Sequence, residues 1–251
     1  MGKFFVTTEQ VNKDKIIITG NDVNHIKNVL RLNVGNDINI CNSDTSKNYI
    51  CKIENILGQN IECKIVEEIE SQTEGNVELH IFQGLPKSDK MELVIQKGTE
   101  LGVSEFVPVK FSRSIVKLSG KDEIKKVERW NKISEVSSKQ CGRDIIPKVR
   151  NIETIDDICK QINNYDLILV AYELEKEKYI KEELLKIKNT KEKYKIAVVI
   201  GPEGGIEPKE VDTLKCAGCK IISLGNRILR TETVALLVSS IIMYELEDGG
   251  N

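Results

Sequence analysis

The chain has 251 residues, of which 40% are hydrophobic and 30% charged, and its formal net charge at pH 7 is −2. This length is enough for one large domain or two, each with a hydrophobic core. No uncharged apolar run reaches about 18 residues, so we expect no membrane-spanning helix. Seven scattered cysteines are typical of a reducing, cytoplasmic location and not of a disulfide framework.

Residues 1–72 are predicted to form a small β-barrel. Short strands are expected at residues 15–19, 38–41, 49–53 and 60–66, with tight turns at 34–37 and 57–60. Asn21 and Asp22 are suited to cap a short helix that carries His25. The polar, glycine-containing residues 69–76 then predict a linker.

From residue 73 the chain alternates strands and helices. Strands are expected at residues 77–82, 105–109, 166–170, 196–200 and 220–224. Helices are expected at residues 90–101, 122–141, 173–195 and 234–243, with another beginning at Pro208. This alternation predicts an α/β domain at residues 73–251, in which helices cover both faces of a parallel sheet.

Two glycine-bearing turns follow strands late in the chain. Residues 201–205 read Gly-Pro-Glu-Gly-Gly, and residues 225–233 form a second polar turn before the last helix. The strand exit at residues 171–173 supplies a third loop. Loops at the carboxyl ends of parallel strands meet in a crevice, so the sequence predicts a ligand site there. The last helix is apolar on nearly every side, which predicts burial in a core or a subunit interface.

Residues 110–150 carry twelve Lys and Arg against five Asp and Glu, a local net charge of +7. A local basic face is what phosphate binding requires. A solvated helix surface with an excess of lysine is the alternative interpretation.

Two blocks in order, residues 200–205 and 224–235, resemble the RsmE-type 16S ribosomal RNA uridine N3-methyltransferases of the SPOUT superfamily. Further blocks at residues 25–37, 85–102 and 140–143 extend the resemblance over most of the chain. It implies a C-terminal SPOUT-type trefoil-knotted parallel-sheet domain preceded by a PUA-like β-barrel domain that binds RNA. It also implies bound S-adenosylmethionine, an obligate homodimer with the active site near the interface, and 16S rRNA or the small ribosomal subunit as partner.

The resemblance also assigns the site residues, which the spacing alone does not. The cofactor candidates are Ala171, Ile200, Gly201, Pro202, Leu224, Gly225, Ile228, Leu229, Arg230 and Thr233. The RNA-contacting candidates are His25, Arg31, Lys87, Lys90, Arg113, Gln140, Arg143 and Glu203. The alternatives are a partly buried imidazole for His25, a surface cation for Arg31, and a cover over a helix N-terminus for Lys87 and Lys90.

Methylation at uridine N3 requires loss of the N3 proton and stabilisation of the anion that spreads onto O2 and O4. Arg230 is the first candidate for that stabilisation and Arg143 the second. Glu232 or Glu203 are candidates to accept the proton, directly or through water. A carboxylate at a helix N-terminus is a weak base, so Glu232 is equally suited to cap the last helix or to hold Arg230.

Two other functions remain open from the sequence. A non-catalytic RNA-binding, ribosome-assembly protein would keep the barrel and the basic face. A small-molecule enzyme would bind a phosphate at residues 201–205, but Pro202 removes a donor there and Glu203 adds negative charge. The chain has neither a dinucleotide-binding nor a P-loop motif, and no histidine-rich cluster that predicts a metal.

Overall fold

The structure is a computed structural model that describes residues 3–71, 73–116 and 118–247. The chain divides into two compact units. The N-terminal unit comprises Met1–Glu74 and Ser138–Ile146, and the C-terminal unit comprises Gly75–Ser137 and Pro147–Asn251. The domain boundary between residues 72 and 73 stays a prediction.

The N-terminal unit is built on a mostly antiparallel sheet. Its strands are β1 (Lys3–Val6), β2 (Val11–Asn12), β3 (Lys15–Thr19), β4 (Asp37–Asn42), β5 (Asn48–Leu57) and β6 (Asn60–Ile69). Their order is β1-β4-β5-β6-β3-β2, and only the β1–β4 pair is parallel. Alternate residues such as Ile16 and Ile18 are buried, as a strand with one face on a core requires. The tight turn between β5 and β6 is confirmed, whereas these two strands, with 10 residues each, are longer than predicted.

A short helical segment interrupts these strands. A turn of 3₁₀ helix spans Thr8–Gln10, and α1 (Asn21–Asn24) continues directly into a π-helical turn, His25–Val29. The prediction that Asn21 and Asp22 cap this helix is wrong. Gly20 precedes the first helical residue and no side chain caps it.

The C-terminal unit is built on a parallel sheet. Its strands are β7 (Val77–Gly84), β8 (Glu105–Val109), β9 (Lys148–Val149), β10 (Leu167–Ala171), β11 (Tyr194–Ile200) and β12 (Lys220–Ile222). Every pair in the order β12-β10-β11-β7-β8-β9 is parallel. The helices after residue 75 are α2 (Lys90–Glu100), α3 (Lys121–Cys141), α4 (Ile155–Lys160), α5 (Ile180–Ile187), α6 (Pro208–Ala217) and α7 (Thr231–Leu246), with a 3₁₀ turn at Ile162–Asn164.

Strand β11 lies between β10 and β7 and is buried on both faces. Its residues alternate between two apolar clusters: Val198 packs with residues of α2 and α7, whereas Val199 packs with residues of α4 and α6. The continuous apolar run at residues 196–200 is therefore explained by helices on both faces, as predicted. Pro208 begins α6, and Glu207 and Glu210 form its capping box.

The largest error concerns the charge-dense segment predicted as one helix at residues 173–195. Only Ile180–Ile187 is helical there. Before it, Oε1 of Glu175 accepts hydrogen bonds from the backbone N–H groups of Lys176 and Glu177, both at 2.9 Å. This side chain satisfies local donors without a helix, so the chain forms a turn. Strand β9 and helix α4 were not predicted, because both are short.

Helix α7 is longer than predicted and has two different faces. Ala235, Val238 and Ile242 are buried in the core of the C-terminal unit, whereas Ser240 and Tyr244 are exposed. The expectation of complete burial therefore holds for one face only within this chain.

Candidate functional site

A cavity of about 450 Å³ lies at the carboxyl ends of β10, β11 and β12, which are neighbours in the sheet. Its walls come from residues 171–173, 200–205 and 223–231, with Lys90 and Val234 beside them. A volume of several hundred Å³ is typical of small-molecule sites. The three predicted loops therefore do meet around one cavity.

Nine of the ten predicted cofactor residues line this cavity. They are Ala171, Ile200, Gly201, Pro202, Leu224, Gly225, Ile228, Leu229 and Arg230. The tenth, Thr233, is exposed on α7 and is not among the lining residues. The sequence analysis missed Thr231, whose side chain is buried and does line the cavity. That any of these residues binds a cofactor stays a prediction.

Two glycines allow the close approaches that shape the cavity. A Cβ at Gly84 would lie 2.5 Å from the backbone nitrogen of Pro202, so only glycine lets the end of β7 meet the residue 201–205 turn. Gly205 has φ +72°, and a Cβ there would lie 2.5 Å from Oε1 of Glu173.

A chain of hydrogen bonds joins β7, α7 and the residue 201–205 turn. Gln83 is fully buried, and its Nε2 donates to Oγ1 of Thr231 at 2.7 Å. The Thr231 hydroxyl in turn donates to the carbonyl oxygen of Gly201 at 2.7 Å. Neither Gln83, in β7, nor Thr231, at the start of α7, was singled out from the sequence. A polar residue in a strand or helix carries no local signal of its partner.

Lys90 lies between two carboxylates, of which Glu203 lines the cavity and Glu232 does not. Its Nζ lies 3.0 Å from Oε1 of Glu203 and 3.2 Å from Oε2 of Glu232. Apart from this ion pair, Oε2 of Glu232 has no hydrogen-bond partner among the described residues. These contacts raise the pKa of Lys90, with the hydrogen bond to Glu203 as the main cause. The structure thus groups two predicted RNA-contacting residues with one catalytic candidate, and the charge of Lys90 is already balanced by acids.

Glu203 is also held by the backbone. Its Oε1 accepts the N–H of Lys87 at 3.0 Å. Burial alone would raise the pKa of Glu203, but backbone N–H groups and the Lys90 ammonium outweigh burial and leave this pKa below its usual value. Glu203 is therefore anionic at neutral pH.

Arg230 and Arg113 are arranged differently around the cavity. The exposed Arg230 lines the cavity just before α7, and its guanidinium makes no ion pair with the residues that the structure describes. Nη1 of Arg113 instead donates to the carbonyl oxygen of Gly204 at 3.3 Å, which ties another loop to the glycine turn. Arg230 is thus a cation available to an anionic group in the cavity.

Arg143 is held by an ion pair outside the cavity lining. It is buried within the N-terminal unit, and its Nε and Nη2 donate to the two carboxylate oxygens of Glu74 at 3.1 and 2.6 Å. It is not among the cavity-lining residues. A forked pair of this kind restrains the guanidinium. The catalytic and RNA-contacting roles of Arg143 stay predictions.

The remaining RNA-contacting candidates are accessible. His25, Arg31, Lys87 and Gln140 are all exposed. His25 packs edge-on against Phe4 with ring centroids 5.8 Å apart, so the alternative of a partly buried imidazole is not what the structure has.

The basic face predicted for residues 110–150 is largely neutralised by acids. Arg129 pairs with Glu92 from α2 at 2.8 Å, and Arg150 pairs with Glu105 at 3.3 Å. Lys121 is exposed at the start of α3 without an ion pair among the described residues. The net charge counted from residues 110–150 alone is therefore larger than the positive charge that the segment presents once its ion pairs are included.

The described residues contain neither a candidate metal site nor a candidate membrane span. In residues 3–71, 73–116 and 118–247, no three His, Cys, Asp or Glu side chains are grouped so as to hold a metal ion. No helix in the same residues has the length and apolar character needed to cross a membrane. All seven cysteines are free, and burial raises the pKa of Cys219 to about 12, as expected for a small apolar filler.

Comparisons with known proteins agree with the motifs. The family model described as an RNA methyltransferase domain matches residues 73–243. The family model described as an RNA methyltransferase PUA domain matches residues 18–66.

Full-length relatives carry one common name. The chain is 35% identical to the ribosomal RNA small subunit methyltransferase E of Bacillus subtilis (strain 168), with 98% of each chain covered. It is 30% identical to the protein of the same name from Mesomycoplasma hyopneumoniae (strain 232), with 95% of this chain and 97% of the relative covered. The crystal structure of the ribosomal RNA small subunit methyltransferase E from Neisseria gonorrhoeae bound to S-adenosyl methionine is 25% identical, covers 99% of both chains and superposes with a TM-score of 0.85. The chain therefore belongs to the RNA methyltransferase family of ribosomal RNA small subunit methyltransferase E, with a PUA domain followed by an α/β methyltransferase domain.

Proposed function

We propose that this protein methylates N3 of a uridine in 16S ribosomal RNA, with S-adenosylmethionine as methyl donor. The observation that carries this proposal is the cavity at the carboxyl ends of β10, β11 and β12, lined by Arg230, whose guanidinium has no ion pair among the described residues. The names of the full-length relatives support ribosomal RNA as the substrate. The relative from Neisseria gonorrhoeae, whose structure holds S-adenosyl methionine, supports the donor.

The residues around the cavity suit such a donor. Apolar side chains from Ile200, Leu224 and Leu229 offer a surface for a purine ring, while the glycine turns expose backbone groups for polar contacts. When bound there, S-adenosylmethionine supplies an activated methyl group on a sulfonium. The protein then needs mainly to align the donor with the uridine, which can contribute roughly 7–11 kcal/mol to the barrier reduction.

Side chains at or beside the cavity carry out proton transfer and charge stabilisation in this proposal. The N3–H bond must break, and the resulting charge spreads onto O2 and O4 of the uracil ring. Arg230 stabilises that charge through its guanidinium. Glu232 is the first candidate to accept the N3 proton, and it would do so through water, because it does not line the cavity itself. Among the described residues, its buried Oε2 has no partner apart from the ion pair with Lys90. Glu203 is the second candidate, although the N–H of Lys87 and the ammonium of Lys90 already occupy its Oε1.

RNA contacts are proposed at exposed residues of both units. In the N-terminal unit these are His25, Arg31 and Gln140, and in the C-terminal unit Lys87 and Arg113. Their exposure and the match to a PUA domain support this assignment. Lys90 and Glu203 act differently in this proposal: they hold each other at the rim of the cavity.

The decisive experiment supplies purified protein with S-adenosylmethionine and either free 16S rRNA or small subunits from cells lacking this protein. Nucleoside mass spectrometry is expected to detect 3-methyluridine at one position, and the two substrates distinguish free RNA from the assembled particle. RNA binding without methyl incorporation on either substrate would instead support a non-catalytic assembly factor.

A homodimer is proposed through the exposed face of α7, with the active site near the interface. Tyr244 is 85% exposed and borders a second, mostly apolar cavity of about 600 Å³ between α5 and α7. Ile228 lines the first cavity and is 90% exposed, so a second copy is suited to cover both patches. Light scattering at micromolar concentration is expected to give twice the chain mass, and Tyr244→Glu to give one chain mass. A wild-type monomer contradicts the proposal.

Two further properties are proposed from the family resemblance. One is a trefoil knot in the C-terminal unit, supported by the contact between the residue 201–205 turn and Thr231. The other is a cytoplasmic location, where ribosomal subunits are assembled and cysteines stay reduced.

A further inference from the structure

The starting observation is the buried amide of Gln83. Its Nε2 lies 3.0 Å from the carbonyl oxygen of Gly84 and 2.7 Å from Oγ1 of Thr231. A backbone carbonyl can only accept, so the amide nitrogen, and not the oxygen, must face Gly84. The same nitrogen therefore donates its second hydrogen to Thr231.

This donation fixes the direction of the Thr231 hydroxyl. A hydroxyl has one hydrogen, and Thr231 already accepts from Gln83, so its own hydrogen points at the carbonyl oxygen of Gly201, 2.7 Å away. Thr231 and Gly201 both line the cavity, on different loops. One hydroxyl thus joins the end of β11 to the first residue of α7, with β7 holding it in place.

The amide has a cost for the fold. Oε1 of Gln83 is buried and has no hydrogen-bond partner among the described residues. A buried acceptor without a donor destabilises the folded state, whereas an apolar side chain of similar shape would avoid that cost. The stability of the fold therefore does not explain the Gln83 amide. Its hydrogen bond to Thr231 does explain it.

We propose that Thr231 is a positioning residue for the methyl donor, oriented by Gln83. Its hydroxyl holds the carbonyl of Gly201 against the start of α7, which keeps the residue 200–205 and 223–231 walls at the spacing that the donor requires. The single hydrogen of the hydroxyl and one of its lone pairs are used inside the protein, so the role assigned to Thr231 is exerted through the walls. This inference rests on the proposed function, because the affinity for S-adenosylmethionine reports it.

The test compares two substitutions at one position. Thr231→Val removes the hydroxyl with little change of shape, and Thr231→Ser keeps the hydroxyl but removes the methyl group. Thr213→Val is the matched control, because the Thr213 hydroxyl also donates to a carbonyl, that of Lys209, but on the exposed face of α6. The dissociation constant for S-adenosylmethionine is measured by calorimetry, and the folded state by circular dichroism and thermal unfolding.

Thr231→Val is expected to weaken S-adenosylmethionine binding by about tenfold or more, the usual effect of one buried hydrogen bond with an orphaned partner. Thr231→Ser and Thr213→Val are expected to bind within about threefold of wild type, a difference too small for a lost hydrogen bond. The inference is overturned if Thr231→Val binds S-adenosylmethionine as tightly as wild type. It is also overturned if Thr231→Val and Thr231→Ser weaken binding equally.

A second variant covers the case in which Thr231→Val does not fold. Gln83→Met removes the donor that orients Thr231 and leaves the hydroxyl in place. Unchanged affinity in folded Gln83→Met overturns the inference, and a loss of about threefold or more supports it. Absence of binding by the wild-type protein would instead contradict the proposed function, so the two failures are distinguishable.

Discussion

The two glycine-bearing walls of the cavity are held very differently. In the residue 201–205 turn, the carbonyl oxygen of Gly201 accepts a hydrogen bond from Thr231, and that of Gly204 accepts one from Arg113. Glu203 forms an ion pair with Lys90. In the opposite wall, residues 225–228 are exposed, and Ile228 is almost fully so. The first wall is preorganised by the chain itself, whereas the second is left for a ligand or a second copy to cover. Preorganised groups lose little freedom when they bind, so the first wall is suited to fix geometry and the second to admit the substrate.

Gly84→Ala is expected to disturb the residue 201–205 wall more than any other substitution proposed below. The added Cβ would lie 2.5 Å from the nitrogen of Pro202, and backbone on both sides has to move. We expect loss of measurable S-adenosylmethionine binding and destabilisation by about 1–3 kcal/mol, as for other overpacked sites. Denaturant unfolding and calorimetry measure the two effects. Gly120→Ala is the control for backbone strain away from the cavity, because Gly120 has φ +50° but no described atom lies within 4 Å of a Cβ there. Similar donor affinity in both variants would contradict the expectation.

Arg230→Ala tests the charge between the two walls. We expect kcat for methyl transfer to fall by about 10²–10³-fold, the loss seen when a donor to a developing oxyanion is removed. S-adenosylmethionine binding is expected to change much less, since the guanidinium acts on the uracil ring. Single-turnover methylation assays measure the first effect. Arg227→Ala, in the same exposed loop, is the control, and an equal loss in both variants would mean general damage to the loop.

Glu203→Gln tests how the ordered wall depends on pH. The folded-state pKa of Glu203 lies below its ordinary value of 4.5, so its carboxylate stabilises the fold above that pH. The contribution is lost as the pH falls below 4.5 and through the folded pKa. We expect the acid-side fall of the melting temperature to be shallower in Glu203→Gln than in wild type. Superimposable profiles between pH 3 and 7, about the titration range of carboxylates, would contradict the expectation.

Ile228→Ser tests the open wall and should have the smallest effect on stability. An exposed side chain contributes little to the fold, so we expect the free energy of unfolding to stay within about 0.5 kcal/mol of wild type. Donor affinity or dimer stability should fall measurably, because the apolar surface at the cavity is lost. Leu57→Ser, at an exposed position of the β5–β6 hairpin, is the control for surface polarity. If Ile228→Ser binds the donor and dimerises as wild type does, Ile228 contributes neither to donor binding nor to the dimer interface.

Much of the C-terminal fold could be predicted from the sequence because its signals are local. The apolar run at residues 196–200, the glycine turn and the start of α6 at Pro208 each involve a few adjacent residues. The error at residues 173–195 has a local origin too. Charged residues at helical spacing suggested one helix, but Glu175 caps its own turn and the helix begins only at Ile180.

The contacts between side chains could not be predicted in the same way. Lys90 and Glu232 are far apart in the sequence, and nothing near Lys90 indicates that a carboxylate neutralises it. The family resemblance assigned Thr233 to the cofactor and passed over Thr231, although only Thr231 lines the cavity. For Arg143, the partner Glu74 lies on a distant segment, so no local pattern in the sequence indicated this ion pair.

The hydrogen bond between Gln83 and Thr231 spans 148 residues of sequence. During synthesis the strand that carries Gln83 emerges long before α7, so the donor pocket stays unfinished until the final helix has left the ribosome. Contacts this distant form late and slowly in folding. A fragment that lacks α7 would thus not assemble the donor pocket and would not methylate RNA.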